Sequence, residues 1–322
     1  MLPRNAGRAA GRRRFLVLTG ATAAGLALGG CAVQTRALRG APPAHLPPRV
    51  ELHETPFFPD DSYYCGPAVL ATLLGAAGFD TEVDTLARQV FLPAREGSLQ
   101  LEMLAGARRN GAVATVLPGE LTALLEEVAA GHPVGVLQNL GLAWAPSWHY
   151  AVLIGYDLER GEVLLRSGPM KRQQLALRTF EHTWKRGGHW AMVALPPGHL
   201  PQTAHEADAI RALVAFERSA EPAAAARAYS AGLERWPHRL VLLMGLGNSR
   251  YAQGDLTAAE RAFAAAARHD SAAAWNNLAL VRLARGNLHA AHEAAQRAHA
   301  LDPKDANIRT TLRRIKSAQH GA

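Results

Sequence analysis

The alternation of hydrophobic and polar positions divides the chain into two regions with different periodicities. In the first region, helix-like apolar stretches lie near residues 66–77, 82–91, 99–109 and 119–130. Strand-like runs lie near 112–116, 133–139, 149–156, 161–167 and 190–195. Most helices precede most strands, and the later strands follow one another closely enough to pair as hairpins. This order predicts an α+β domain over residues 51–200, with N-terminal helices and an antiparallel sheet.

In the second region, strand signals vanish and Ala-rich helical periodicity takes over after the Pro-rich stretch 195–201. The pattern repeats at a spacing of 32 to 34 residues; Gly254 and Gly286, for example, are 32 residues apart. One unit resembles a complete tetratricopeptide repeat through Trp275, Leu278, Gly286, Ala291, Ala298 and Pro303. We predict an all-α repeat domain over residues 204–320, with 305–318 as a capping helix. The groove of such a domain would bind a protein partner, unless the helices only stabilise the chain.

The amino terminus has the pattern of an export signal. Residues 12–16 are RRRFL, an apolar run follows over 17–28, and LGGC ends at Cys31. We predict that residues 1–30 are a twin-arginine-like signal peptide and that Cys31 is lipidated at a lipobox-like site. The alternative is an uncleaved anchor helix. Both interpretations place the protein outside the cytoplasm on a bacterial membrane. Ala32, which follows the cysteine, resembles the outer-membrane sorting pattern, so we expect the domains on the periplasmic side of that membrane. Residues 31–50 are Pro-rich and predict a tether.

Charge changes this picture little. The formal net charge is +8, but residues 1–30 contain five arginines and no acidic residue. Without that segment, 30 basic residues face 27 acidic ones. We therefore expect no nucleic-acid partner.

The candidate chemistry centres on a cysteine and a histidine. If lipidation consumes Cys31, then Cys65 has no intramolecular partner, because the chain has only two cysteines. Pro67 suits a first helical turn, so Cys65 lies at a helix start, where the dipole favours a thiolate. The alternative is a small buried apolar cysteine. His149 opens a strand-like segment, and a hairpin about residues 158–159 would place it nearly opposite Ser167 or Gly168, so Ser167 could orient the ring.

These motifs carry a family resemblance. YCGPA at 64–68, and HYAV at 149–152 followed by GYD at 155–157, resemble papain-like cysteine peptidases of the bacteriocin-processing type, which cut after double-glycine leaders. The resemblance spans residues 53–198 and is closest to a lipoprotein subgroup with tetratricopeptide repeats in place of a transporter. It implies hydrolysis of peptide bonds by Cys65 and His149, with a peptide or protein substrate, no cofactor and no metal.

Two positions depart from that family. Ser167 stands where the family has Asp, and Asp60 stands where it has the Gln that donates to the oxyanion. An ionised carboxylate cannot donate such a hydrogen bond. Gln138 and Asn139, or the Cys65 backbone N–H, are the alternative oxyanion donors. The departures also favour a second hypothesis, a catalytically weak adaptor that binds through its repeats. A transglutaminase-like or deamidating reaction would use the same Cys–His chemistry.

Overall fold

The structure is a computed structural model that describes residues 32–60 and 64–320. Up to Leu195 it contains a seven-stranded sheet in which every pairing is antiparallel. The strand order is β2-β7-β3-β4-β5-β6, and β1 pairs with the far end of β4. The strands are β1 Arg49–Glu51, β2 Val113–Val116, β3 Val134–Asn139, β4 Trp148–Asp157, β5 Glu162–Ser167, β6 Met170–Ala176 and β7 Ala191–Leu195.

Helices cover both faces of this sheet. They are α1 Val33–Gly40, α2 Cys65–Ala76, α3 Val83–Val90, α4 Gln100–Arg109, α5 Leu121–Ala129 and α6 Leu177–Arg186. The core on one face includes Leu70 of α2 with Leu137 and Val152, and the core on the other face includes Trp184 of α6 with Val136. The central strands are therefore apolar on both sides, which explains their near-continuous hydrophobic sequence. The predicted α+β class is confirmed.

The segment predicted to be a tether is instead folded against the domain. Helix α1 occupies 33–40, Leu38 and Leu46 are buried, and β1 begins at Arg49. The buried Glu181 carboxylate accepts the backbone N–H groups of Gln34 and Thr35 at 3.0 and 2.7 Å. Composition suggested a linker because prolines dominate the stretch, but these contacts fix it to α5 and α6.

Two further elements were missed by periodicity. Strand β6 has the sequence MKRQQLA and is mostly exposed, and α6 has the sequence LRTFEHTWKR. Both are polar overall, so neither shows the apolar run that predicted the other elements. Only their pairing and packing reveal them: β6 is the edge partner of β5, and Phe180 and Trp184 of α6 are fully buried.

The second region is a stack of helices, as predicted. It comprises α7 Glu206–Glu217, α8 Pro222–Arg235, α9 Leu240–Ala252, α10 Leu256–Ala267, α11 Ala272–Ala284, α12 Leu288–Leu301 and α13 Ala306–His320. Close approach depends on glycine: a Cβ at Gly245 would lie 2.2 Å from the Tyr229 ring, and one at Gly247 would lie 2.5 Å from Phe263. Neighbouring helices therefore pack through small residues in successive units.

The two regions meet along β2 and α7. Val113 of β2 shares a core with Leu213 and Phe216 of α7. The connecting chain is held as well, because the buried Glu127 carboxylate accepts the Thr203 N–H at 2.7 Å and its hydroxyl at 2.8 Å. Among the described residues, no helix is long and apolar enough to cross a membrane.

Candidate active site

Cys65 is the first residue of α2, and its thiol faces strand β4. The backbone N–H groups of Tyr150, Gly66 and Cys65 itself each lower the pKa of the thiol. A Cβ at Gly66 would lie 2.4 Å from the Ser98 hydroxyl oxygen, so glycine allows the start of α2 to pack closely against residue 98. The helix start therefore brings donors to the thiol.

The charge balance at the thiol differs from the sequence-based expectation. Burial raises the pKa of Cys65 most strongly, and the nearby charge of Asp60 raises it further. The three backbone N–H groups lower it without cancelling these effects. The expectation of a thiol biased towards thiolate is thus wrong for the resting site, because desolvation of the anion outweighs the helix terminus.

His149 lies on β4, and its Nε2 is 2.9 Å from the Ser167 hydroxyl oxygen at the end of β5. The ladder pairs Val152 with Arg166 and shifts register between Leu153 and Gly155. Continued to its end, this register places His149 opposite residue 169 rather than 167 or 168. The bond to Ser167 is therefore diagonal across the two strands, and it leaves Nδ1 as the ring nitrogen available for proton transfer.

Burial lowers the pKa of His149, while the charge of Asp60 partly opposes this. Because the ordinary histidine pKa is about 6.5, the ring is mainly neutral at pH 7. A neutral imidazole beside a protonated thiol is the starting state for general-base activation.

Asp60 is 8% exposed and lines a small cavity together with Cys65, Ser167 and Gly168. Its backbone N–H donates to the Gly168 carbonyl at 3.2 Å. The carboxyl group thus lies within electrostatic range of both the thiol and the imidazole. Its negative charge favours a protonated histidine and disfavours a thiolate.

Neither of the two side chains considered as oxyanion donors lines the cavity that contains Cys65 and His149. Gln138 is buried, and its amide donates to the Thr183 hydroxyl at 2.6 Å, on α6. The Asn139 side-chain oxygen accepts the N–H groups of Gly141 and Ser147, both at 2.9 Å, and so organises the loop after β3. Sequence proximity to His149 suggested a catalytic role for both, but the packing of α6 and the loop engages these side-chain groups instead.

Cys65 and His149 line one cavity of about 1090 Å³. Its walls also include Ser98, Leu99, Leu140, Trp148, Tyr150, Arg186, Gly187 and Gly188. Over residues 32–60 and 64–320, no hydrogen bond joins the thiol to the imidazole. Hydrogen bonds between catalytic groups are often long when no substrate is bound. The absence of a direct bond between the thiol and the imidazole is therefore compatible with a working pair.

Arg166 has a role that the sequence analysis did not identify. Its guanidinium is buried and donates to the carbonyls of Thr55 at 2.9 Å and His53 at 3.3 Å, and to that of Lys171. It thereby fixes the segment that leads to Asp60. The only available signal was a charged residue inside the apolar strand sequence EVLLRS.

The predicted lipidation site and two further histidines of this region are not part of this cavity. Cys31 is outside the described residues. His182 is exposed, and the His189 ring packs edge-on against Trp184. In the part of the chain that the structure describes, no group of three or more His, Cys, Asp or Glu side chains could hold a metal ion.

Comparison with known families finds a match to the first region. Residues 46–192, just under half of the chain, match the model described as the Peptidase_C39 like family. This segment is therefore a C39-like, papain-like peptidase region, and the helical repeats lie outside the match. No curated protein sequence matches the chain.

Solved structures resemble each region separately. A putative C39-like peptidase from Bacillus anthracis is 20% identical over 46% of this chain and 97% of its own, with a TM-score of 0.40. The peptidase domain of Streptococcus ComA, a bi-functional ABC transporter, is 19% identical over 44% and 99%, with a TM-score of 0.38. The Yersinia enterocolitica secretion chaperone SycD, in complex with a YopD peptide, is 18% identical over 34% and 92%, with a TM-score of 0.33. Similarities of this size carry no information about substrate or activity.

Proposed function

We propose that this chain is an exported, lipid-anchored cysteine peptidase whose helical repeats bind the substrate or a partner protein. The observation that supports it is the meeting of Cys65, at a helix start, and His149 in one cavity, with the Ser167 hydroxyl hydrogen-bonded to the imidazole. The family match over residues 46–192 supports the same reaction class. Nucleophilic catalysis needs a base near the nucleophile and a third group that orients the base, and His149 and Ser167 are the candidates for these roles.

The proposed reaction uses His149 as base and then as acid. His149 Nδ1 accepts the Cys65 proton, and the sulfur attacks the amide carbonyl carbon. The imidazolium then gives its proton to the leaving amine as the C–N bond breaks. Water, deprotonated by the imidazole, hydrolyses the thioester and restores the thiol. Ser167 holds the ring in place, and the N–H groups at the start of α2 are the donors nearest to the developing oxyanion.

A second candidate function is a peptidase-like adaptor without turnover. The charge of Asp60, which raises the pKa of Cys65, favours it because a negative charge near the sulfur also repels an oxyanion. In that case the first region would bind polypeptides without cleaving them, and the repeats would supply the partner contact.

Labelling with an iodoacetamide probe separates the two candidates. The purified protein is labelled between pH 4 and 9, and modified Cys65 is quantified by peptide mass spectrometry. For the peptidase, His149→Ala slows labelling at pH 7 at least about tenfold, the effect of losing one well-placed base. The matched control is His182→Ala, an exposed histidine of the same domain, which leaves labelling unchanged. Identical pH profiles for wild type and His149→Ala would favour the adaptor.

Membrane attachment and the repeat surface need separate experiments. Under the proposal, the full chain partitions into the membrane fraction, and Cys31→Ala releases it and removes the acyl mass. Recovery of Cys31→Ala in the membrane fraction with no acyl group on the wild type would overturn lipid anchoring. A partner recruited by the repeats is lost when helices α9 to α12 carry charge reversals on exposed positions, while labelling of Cys65 persists.

A further inference from the structure

The loop between β3 and β4, residues 140–147, presents apolar side chains to solvent beside the Cys65 cavity. Its sequence is LGLAWAPS, with no charged residue. Trp144 is 83% exposed and Leu142 is 54% exposed, and Trp148, which follows the loop, is 56% exposed. Exposed apolar residues grouped in this way mark a contact surface, because removing their apolar area from water is favourable.

This loop is ordered by its own hydrogen bonds. The Leu140 N–H donates to the Ser147 carbonyl at 2.8 Å, and Leu142 and Ala145 exchange bonds of 3.0 and 3.2 Å. The side chain of Asn139 accepts two further N–H groups at the base. The hairpin therefore holds Trp144 away from the protein rather than allowing it to fold back onto the core.

The N-terminal segment of the described chain and the base of the 140–147 loop both contact helix α6. Arg186, at the end of α6, donates to the Asn139 carbonyl at 2.8 Å. Five residues earlier on α6, Glu181 binds the backbone of Gln34 and Thr35. Five residues of helix span about 7.5 Å. The segment joining Cys31 to the domain thus arrives close to the base of the loop.

Positive charge flanks this surface. Lys185 and Arg186 occupy the last turn of α6, and Arg186 donates to the Asn139 carbonyl at the base of the loop. Basic residues beside exposed tryptophan and leucine are the combination found where proteins contact anionic lipid headgroups.

We propose that the 140–147 loop is a membrane-contact element that inserts Trp144 and Leu142 into the interface of a bilayer containing anionic phospholipid. The inference rests on the proposed membrane attachment, which places a lipidated Cys31 on the same side. A polypeptide is the less favoured occupant, because Trp144 and Leu142 lie outside the lining of the cavity, whereas Leu140 and Trp148 belong to it. In this arrangement the mouth of the Cys65 cavity faces the lipid surface, and a polypeptide enters the cavity close to the bilayer.

Tryptophan quenching by lipid tests this contact. The full lipidated chain is reconstituted into vesicles of mixed zwitterionic and anionic phospholipid with brominated acyl chains, which quench tryptophans only at the bilayer. We expect part of the emission to be quenched in the wild type and in the control Trp236→Phe, a tryptophan of the repeat region. The quenched part disappears in Trp144→Phe. It also disappears in Leu142→Glu, which retains Trp144 but charges the loop.

Each outcome bears on one claim. Protein that sediments with the vesicles but shows no quenching, or equal quenching in Trp144→Phe, overturns the loop contact and leaves the surface to a polypeptide. Protein that neither sediments nor is quenched overturns both the lipid anchor and the loop contact. Labelling of Cys65, measured on the same samples, reports the proposed peptidase site independently of either result.

Discussion

The two regions of this chain bury polar groups in different ways. In the first region, buried polar side chains bridge distant parts of the sequence: Arg166 binds the Thr55 carbonyl 111 residues away, and Glu181 binds the Thr35 N–H 146 residues away. In the repeat region, the buried Ser249 hydroxyl donates only to the Gly245 carbonyl, four residues earlier on its own helix.

This difference predicts that substitutions in the two regions affect different properties, namely the reactivity of the site in the first region and the stability of the helices in the second. In the first region, Arg166 fixes the segment that leads to Asp60 and Ser167 binds the His149 ring, so a change at either residue is expected to alter the site. Contacts in the repeat region are local and recur between neighbouring helices, so a change there alters the stack. The following predictions test that separation, from the largest expected effect to the smallest.

The largest effect is expected from Cys65→Ser. Loss of the sulfur nucleophile should reduce cleavage of a peptide library about 10³-fold or more, because the hydroxyl needs stronger activation than the thiol. The thermal midpoint should stay within about 2 °C, since the substitution is nearly isosteric. Cleavage that persists at the wild-type rate would contradict the assignment of the nucleophile.

Ser167→Ala should have a smaller effect on the same reaction. Losing one hydrogen bond to His149 costs about 1.4 kcal/mol, or about tenfold in rate. Ser167→Asp places a carboxylate beside the ring, so the pKa of His149 should rise and the acidic limb of the pH–rate profile should move to higher pH. If both variants keep the wild-type profile, Ser167 does not orient the ring.

Gly245→Ala tests whether a change in the repeat region alters stability without altering the site. The new Cβ would meet the Tyr229 ring, and such overpacking costs about 1–3 kcal/mol. Denaturant unfolding should show this loss, while Cys65 labelling in native buffer stays at the wild-type rate. Asn248→Ala, at an exposed position of the same helix, is the control and should change stability by less than about 0.5 kcal/mol. Altered Cys65 labelling in Gly245→Ala would show that the two regions are coupled.

Asp60→Asn should shift the titration of the site. The carboxyl charge raises the pKa of Cys65 and also that of His149, so its removal should lower both. Iodoacetamide labelling should then begin at lower pH than in the wild type. A labelling curve that does not move would mean that the Asp60 charge does not reach the thiol.

The smallest effect is expected on stability in acid. Burial lowers the pKa of His149 in the folded state, so below about pH 6.5 the unfolded chain binds more protons. Stability should therefore fall as the pH drops from about 6.5 to the folded-state pKa, and level off below it for this residue. His149→Gln should reduce that loss without abolishing it, because His189 has a lowered pKa as well. Equal acid sensitivity in both proteins would contradict the desolvation of His149.

Local patterns predicted the apolar elements closely and failed on the polar ones. The run predicted at 133–139 is the strand Val134–Asn139, and the stretch predicted at 119–130 is the helix Leu121–Ala129. In contrast, α1, β6 and α6 carry few apolar positions and acquire their structure from pairing and packing. Propensity alone cannot identify such segments, since tertiary contacts override it.

The sequence by itself determined the α+β and helical-repeat architecture, because periodicity encodes which faces are buried. It also singled out Cys65 and His149, because a helix start and a strand start are recognisable locally. Only the tertiary structure decided that Gln138 and Asn139 lie outside the lining of the Cys65 cavity, that the Pro-rich segment packs onto α6, and that burial raises the thiol pKa. These outcomes depend on desolvation and on contacts between residues far apart in the chain, which no local pattern records.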